Sequence, residues 1–249
     1  MKKLGLIGFP LGHSFSKKYY LNKFEKEGIT DIDYELYPVE DLNDFRNIYE
    51  RDQQFVGFNV TIPHKRNVMT LLDELSDEAT EINAVNCVTI QRDNGKTRLK
   101  GFNTDAYGFE HSLHPLLTEK HRTALVFGNG GAAQAVYYSL KKLNISYQIV
   151  SRHKDTGDLT YDELTEKIIA DNKLLINCSP VGTFPDTDQC PQIPYDGIGD
   201  AHLLYDLIYN PEETLFLKKG RERGAAIKNG HEMLILQAER NWAIWNEAF

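Results

Sequence analysis

Among the 249 residues no apolar run approaches the roughly 20 residues of a membrane span, so no membrane partner is expected. The opening stretch Met1-Lys2-Lys3-Leu4-Gly5-Leu6-Ile7-Gly8 lacks the longer apolar core and small-residue cleavage site of a secretory signal. The chain holds only 3 cysteines, Cys87, Cys178 and Cys190, an odd number in apolar or loop contexts. That fits a reducing compartment better than a disulfide framework, and together these absences predict a cytoplasmic protein. Basic tracts are missing too, and the net charge of −8 argues against nucleic acid as the main partner. It does not argue against a small anion held by a few local donors. Internal repeats and low-complexity segments are absent. No spacing of His, Cys, Asp or Glu suggests a metal site, and His13 and His64 read as local hydrogen-bonding or surface residues.

What is present is an ordinary globular composition, 41% hydrophobic and 26% charged, long enough for one large domain or two modest ones. Residues 4–9, 33–39 and 55–62 read as strands, with helices between them. The first helix is expected to take Ser16 as its N-cap, carry Tyr20, Leu21 and Phe24 as an apolar stripe, and end at Gly28. Pro63 is suited to the first position of a further helix. Residues 84–90 and the segment after Asn94-Gly95 predict a hairpin, since Asn-Gly favours a two-residue turn. From Thr123 the texture changes to strand–helix alternation, with strands at 123–127, 146–150, 174–177 and 203–208. Such alternation implies a parallel sheet with helices on both faces. The domain change is placed near 106–120, and a final helix spans about 233–245.

Three segments carry chemistry. Gly128-Asn129-Gly130-Gly131-Ala132-Ala133 follows a strand and opens a helix, the context in which a glycine turn binds a dinucleotide. Gly128 permits the tight turn, Gly130 lets the backbone approach a pyrophosphate, and the helix N-terminus offers N–H groups and a positive dipole end. The plain alternative is a turn that merely links strand and helix. An NAD enzyme usually places Asp or Glu after the second strand, whereas this chain has Ser151-Arg152-His153-Lys154. Two cations and a possible third suit the 2′-phosphate of NADP, with Arg152 stacking on adenine or pairing with phosphate.

The other two segments are Asn59-Val60-Thr61-Ile62-Pro63-His64-Lys65 and Gly101-Phe102-Asn103-Thr104-Asp105. In a strand Asn59 and Thr61 share a face, and Lys65 is expected in the first turn of the following helix. Ser14 and Ser16 are likewise two apart in what reads as extended chain, and Asn86 ends another apolar segment. Neutral hydrogen-bonding groups with one cation and one anion would serve a polyol that carries a carboxylate. Read singly, each of these residues is equally a cap, a turn or a surface ion pair.

Taken in order along nearly the whole chain, the motifs resemble the shikimate dehydrogenases. They are His13-Ser14-Phe15-Ser16, Asn59 to Lys65, Ala84-Val85-Asn86, Gly101 to Asp105, the glycine turn, and Asn177-Cys178-Ser179-Pro180-Val181-Gly182. Asp206 to Pro211, Gly230-His231-Glu232-Met233-Leu234 and Gln237-Ala238 complete the series. The resemblance implies an α/β protein with a substrate-binding and catalytic domain over 1–108 and a Rossmann-type NADP-binding domain over 109–228. A C-terminal helix over 229–249 would return to the substrate domain. It implies reversible NADPH-dependent reduction of 3-dehydroshikimate to shikimate, in chorismate and aromatic amino-acid biosynthesis, by a monomer or homodimer. Ser14 and Ser16 would bind the substrate carboxylate. Asn59, Thr61, Asn86, Asp105 and Gln237 would hold ring hydroxyls, with Tyr209 near the same pocket. Lys65 would supply the proton as hydride reaches the ketone carbon, and Asp105 would orient it and counterbalance its charge. Gly128, Asn129, Gly130, Gly131, Ala132, Ser151, Arg152, Gly230 and Met233 would contact the cofactor. Substrate and nicotinamide would meet between the domains, so that closure matters.

The chain departs from the family pattern at Lys17, where proline is usual, at Cys87 in place of a threonine, and at His153, Thr183 and Glu232. Lys17 is expected either to face solvent or to add charge near the substrate carboxylate. Two rivals stand beside the main reading. One is a quinate/shikimate dehydrogenase using NAD(H); the missing acid after the second strand counts against it. The other is a non-catalytic shikimate-binding sensor, disfavoured because Lys65 and Asp105 are both retained.

Overall fold

The computed structural model describes residues 1–12 and 14–248, and His13 of the first motif lies outside the described residues. The chain divides into two compact units, residues 1–104 with 238–249, and residues 105–237.

The first unit comprises β1 (Lys2–Gly8), α1 (Phe15–Glu27), β2 (Ile32–Pro38), α2 (Leu42–Arg51), β3 (Phe55–Val60), β4 (Glu74–Leu75), α3 (Asp77–Ile82), β5 (Cys87–Asp93) and β6 (Lys96–Phe102). Its sheet runs in the order β2-β1-β3-β5-β6-β4. Helical crossovers make β2-β1-β3 parallel, whereas β5 and β6 are antiparallel neighbours joined by a tight turn. Asn94 and Gly95 both have positive φ, 49° and 75°, which is the geometry a two-residue hairpin demands.

Ser14, not Ser16, caps α1: its backbone is extended and its hydroxyl accepts from the Lys17 amide at 3.3 Å. Ser16 therefore sits in the first helical turn, and the two serines are not an extended pair. Gly28 ends α1 at φ 68°, as its position predicts. No helix starts at Pro63. The Lys65 carbonyl, which an α-helix would reserve for residue 69, instead accepts from the Val85 amide at 2.7 Å. A turn follows β3, and a short 3₁₀ segment forms only at Asn67–Leu71. His64 is buried in that turn with Nε2 at 2.6 Å from the Val39 carbonyl, a local structural bond.

Aromatic side chains fill both faces of this sheet. Phe45, Tyr49, Phe55 and Phe58 pack on one side, and Tyr20, Phe24, Tyr34 and Trp245 on the other. Gly57 on β3 makes room for the Trp245 indole, because a Cβ there would lie 2.6 Å from its Nε1. That nitrogen donates to the Val88 carbonyl at 3.0 Å, tying the C-terminal segment to the sheet.

The second unit contains α4 (Asp105–Leu113), β7 (Thr123–Phe127), α5 (Gly131–Lys142), β8 (Ser146–Ser151), β9 (Leu159–Thr160), α6 (Glu166–Asp171), β10 (Leu174–Asn177), β11 (Leu203–Asp206), α7 (Leu215–Arg221) and β12 (Ala226–Lys228). The last helix, α8 (His231–Ala248), belongs to this unit through Gln237 and to the first unit from Ala238. The sheet order is β12-β11-β10-β7-β8-β9, with every pairing parallel. β10 and β11 are buried at every residue, as strands covered on both faces must be. The order reverses beside β7, so the carboxyl ends of β7, β8 and β10 frame the place where such sheets bind ligands.

Candidate functional site

The carboxyl ends of those three strands surround a cleft of about 740 Å³. Its lining includes Gly128, Asn129, Gly130, Ser151, Arg152 and Ser179. Gly128 has φ 104°, and a Cβ there would come within 3.2 Å of the Ser179 amide nitrogen. Its carbonyl accepts from the Tyr137 hydroxyl at 2.8 Å, which fixes the turn from behind. Gly130 occupies the N-cap of α5 without a side-chain cap. A Cβ on Gly130 or Gly131 would meet nothing within 4 Å, so no protein atom accounts for the glycines there. The space suits a close-lying pyrophosphate at the N-terminal end of α5.

Arg152 is exposed at the cleft wall and close enough to Tyr161 to act on its phenol. Lys154, which the sequence offered as a second cation, is committed elsewhere. Its ammonium pairs with Glu163 at 2.8 Å and donates to the Asp158 carbonyl at 2.8 Å. The Ser151 hydroxyl meets that of Thr156 at 2.9 Å, holding the turn that presents Arg152. Asn129 reaches across to the Thr156 carbonyl at 3.0 Å.

Gly131 and Ala132 open α5, and neither they nor Gly230 and Met233 are among the residues that line the cleft. Gly230 packs against the Leu207 backbone, where a Cβ would sit 2.0 Å from the carbonyl oxygen, and Met233 is buried in the core with Phe109 and Tyr205. Tyr209 stands 38% exposed on the loop after β11. Asp105 is buried as the first residue of α4, and Gln237 is buried on α8, where its Nε2 donates to the Leu234 carbonyl at 3.0 Å.

Behind the cleft, Asp206 at the end of β11 is fully buried. It accepts from Thr214 Oγ1 at 2.6 Å, from Asn177 Nδ2 at 3.1 Å and from the Ile208 amide at 3.1 Å. Burial pushes its carboxyl up to about 6 despite those bonds. Asn177 Oδ1 in turn accepts from the amide and hydroxyl of Ser179 at 3.0 and 2.7 Å, which shapes the cleft edge.

In the first unit the polar candidates gather at the ends of β1, β3 and β5. Asn59 is buried, with Oδ1 accepting from the Tyr34 hydroxyl at 2.8 Å and Nδ2 donating to the Asn86 carbonyl at 3.0 Å. Asn86 Oδ1 accepts from the Thr104 amide at 2.8 Å, and the Thr104 hydroxyl donates to Asn241 Oδ1 at 2.6 Å. Thr61 continues the ladder past β3, its amide donating to the Ile7 carbonyl at 2.9 Å. Gly8 permits that approach, since a Cβ there would lie 2.4 Å from Thr61 Cγ2. Ser14, Ser16 and Lys65 are all half-buried.

Local contacts or burial accompany four of the departures noted in sequence. Lys17 pairs with Glu35 at 2.7 Å, and Cys87 is buried opposite Asn59 in the β3–β5 register with its thiol pushed up by burial. Glu232 pairs with Lys228, four residues earlier, and the Thr183 hydroxyl donates to the Asn210 carbonyl at 3.4 Å. His153 is exposed.

Comparison with known proteins then decides the family. Residues 6–88 match the model of the shikimate dehydrogenase substrate binding domain. A "Shikimate dehydrogenase (NADP(+))" of Methanococcus maripaludis strain C6 is 37% identical, the match covering 98% of this chain and 91% of that one. The chain belongs to the shikimate dehydrogenase family. The crystal structure of the Thermus thermophilus shikimate 5-dehydrogenase in complex with NADP(H) and shikimate superposes with TM-score 0.85 at 29% identity, covering 99% of this chain and 94% of that one. The Corynebacterium glutamicum quinate dehydrogenase in complex with NAD gives TM-score 0.88 at 25% identity over 99% and 94% of the two chains. The architecture of this shikimate dehydrogenase family member is thus the expected one, an α/β substrate domain joined to a Rossmann-type domain.

Sequence reasoning missed part of the cleft. Tyr161, Gln189, Cys190, Pro191 and Gln192 line it but were not singled out. The available signal was the stretch between β10 and β11, 25 residues with one short 3₁₀ turn, a length that in compact domains marks binding loops. Tyr34 was missed too, since nothing in a strand pattern distinguishes a tyrosine that packs from one whose hydroxyl is used.

Proposed function

We propose that the protein is an NADP-dependent shikimate dehydrogenase, interconverting 3-dehydroshikimate and shikimate. The observation that carries this reading is the cleft where the glycine turn, the N-terminus of α5 and Arg152 meet, with no acidic side chain among its lining residues. Full-length similarity to relatives named for this NADP(+) activity supports it. Gly128 and Gly130 would admit the pyrophosphate and Arg152 would pair with the 2′-phosphate, a charged contact that NAD cannot make. The second unit would hold the cofactor, and the first would supply most of the substrate-binding residues.

When bound, the reduced cofactor supplies the hydride for the ketone carbon. Everything else falls to the chain. Ser14 and Ser16 hold the carboxylate, and Asn59, Thr61, Asn86 and Gln237 hold ring hydroxyls. Lys65 delivers a proton to the oxygen as negative charge develops on it, and takes one back in the reverse direction. Asp105 keeps the ammonium oriented. Balance is complete: one hydride and one proton convert the ketone to the alcohol.

Quinate oxidation with NAD is the second reading, supported by the likeness to the quinate dehydrogenase. The Ser151-Arg152 turn, which offers a cation and no carboxylate to the cofactor, favours the first. Lys65→Ala tests the catalytic assignment. Turnover should fall by about 10²–10⁴-fold while shikimate still binds, as measured by initial rates and equilibrium titration. Retained turnover would remove Lys65 as the proton donor.

A further inference from the structure

Tyr34 has no role in the reading above, yet it is fully buried and its hydroxyl is committed to a substrate-site residue. Stacked on Tyr20 at 4.7 Å, the ring is fixed in the core, so the hydroxyl has little freedom. It donates to Asn59 Oδ1 at 2.8 Å, and the Ser16 side chain lies near enough to offset part of the effect of burial on the phenol. Burial pushes the phenol up, which keeps it a neutral donor. Asn59 Nδ2 faces the Asn86 carbonyl at 3.0 Å, a group that can only accept. These two bonds fix which end of the amide is nitrogen, and they leave Asn59 one N–H and one lone pair for a ligand.

Resting on the substrate site proposed above, we propose that Tyr34 is a positioning residue whose hydroxyl sets the Asn59 amide for the ring-hydroxyl end of the substrate. Without it the amide can rotate, and the buried Asn59 oxygen seeks a new partner. The loss belongs to substrate affinity, not to the hydride or proton step or to cofactor binding.

Initial rates of shikimate oxidation by Tyr34→Phe, Asn59→Ala and the double variant test this, with Trp245→Phe as the structural control. Trp245→Phe also deletes a buried hydrogen bond in the same core, to the Val88 carbonyl, without touching a substrate residue. Tyr34→Phe should raise the KM for shikimate about tenfold, with kcat and the KM for NADP within twofold of wild type. In the Asn59→Ala background the same change should alter that KM less than twofold, because Tyr34 acts through Asn59. Trp245→Phe should lower the melting midpoint at least as much and leave the KM alone. An unchanged KM in Tyr34→Phe, an equal effect in both backgrounds, or a KM shift in Trp245→Phe matching that of Tyr34→Phe would overturn the inference. Wild-type protein that neither binds nor oxidises shikimate would remove the functional reading first, and this inference with it.

Discussion

Arg152 is the exposed cation at the wall of the glycine-turn cleft, and in the function proposed above it selects the cofactor. Its neighbour Lys154 is held by Glu163 and the Asp158 carbonyl, which leaves Arg152 as the permanently charged cation of that turn not engaged in this way. Arg152→Ala should therefore raise the KM for NADP roughly ten- to hundredfold while leaving the KM for NAD unchanged. Lys154→Ala should do neither. Asp206 makes a separate prediction, on stability. Its carboxyl titrates near 3.8 in the unfolded chain and about 6 in the folded one, so the folded state holds its proton to higher pH. A pKa raised on folding means that this group stabilises the fold less as pH rises from about 4 to about 6, and the loss is complete above that. Relative to wild type, Asp206→Asn should be more favourable at pH 7 than at pH 4 by up to about 3 kcal/mol, in denaturant melts at both values. A pH-independent difference would refute the burial argument.

At the scale of elements, two glycines with positive φ separate folding from function. Gly95 closes a hairpin at φ 75° with open space around it, so Gly95→Ala should cost about 1–2 kcal/mol of stability and leave kinetics unchanged. Gly128 lies in the cleft at φ 104° and against Ser179, so Gly128→Ala should weaken NADP binding more than tenfold, read by equilibrium titration. The parallel sheet, the glycine turn and the hairpin were legible because their signals are local: apolar runs, a strand–turn–helix context, an Asn-Gly pair. The segment around Lys65 was not. Pro63 suits a helix start, but the Val85 amide claims the Lys65 carbonyl, a bond between residues 20 apart that no local pattern encodes. The α1 cap shifted from Ser16 to Ser14 for a similar reason, since both are good caps and only the backbone geometry chooses. Tyr34, Tyr161 and the Gln189–Gln192 stretch stayed hidden because their roles depend on which strands become neighbours.

The whole molecule joins two units of different sheet topology in one chain. The mixed sheet sets amides and hydroxyls at the ends of β1, β3 and β5, and the parallel sheet presents a phosphate-sized glycine turn beside Arg152. Among the described residues no cluster of His, Cys, Asp or Glu could hold a metal ion, and no helix is long and apolar enough to cross a membrane. The most direct measurement follows the absorbance of reduced nicotinamide as the purified protein is given shikimate or quinate, each with NADP and then with NAD. Turnover with shikimate and NADP is expected, far above that with the other three pairs. Turnover chiefly with quinate or with NAD, or none with any pair despite shikimate binding, would contradict the proposed function.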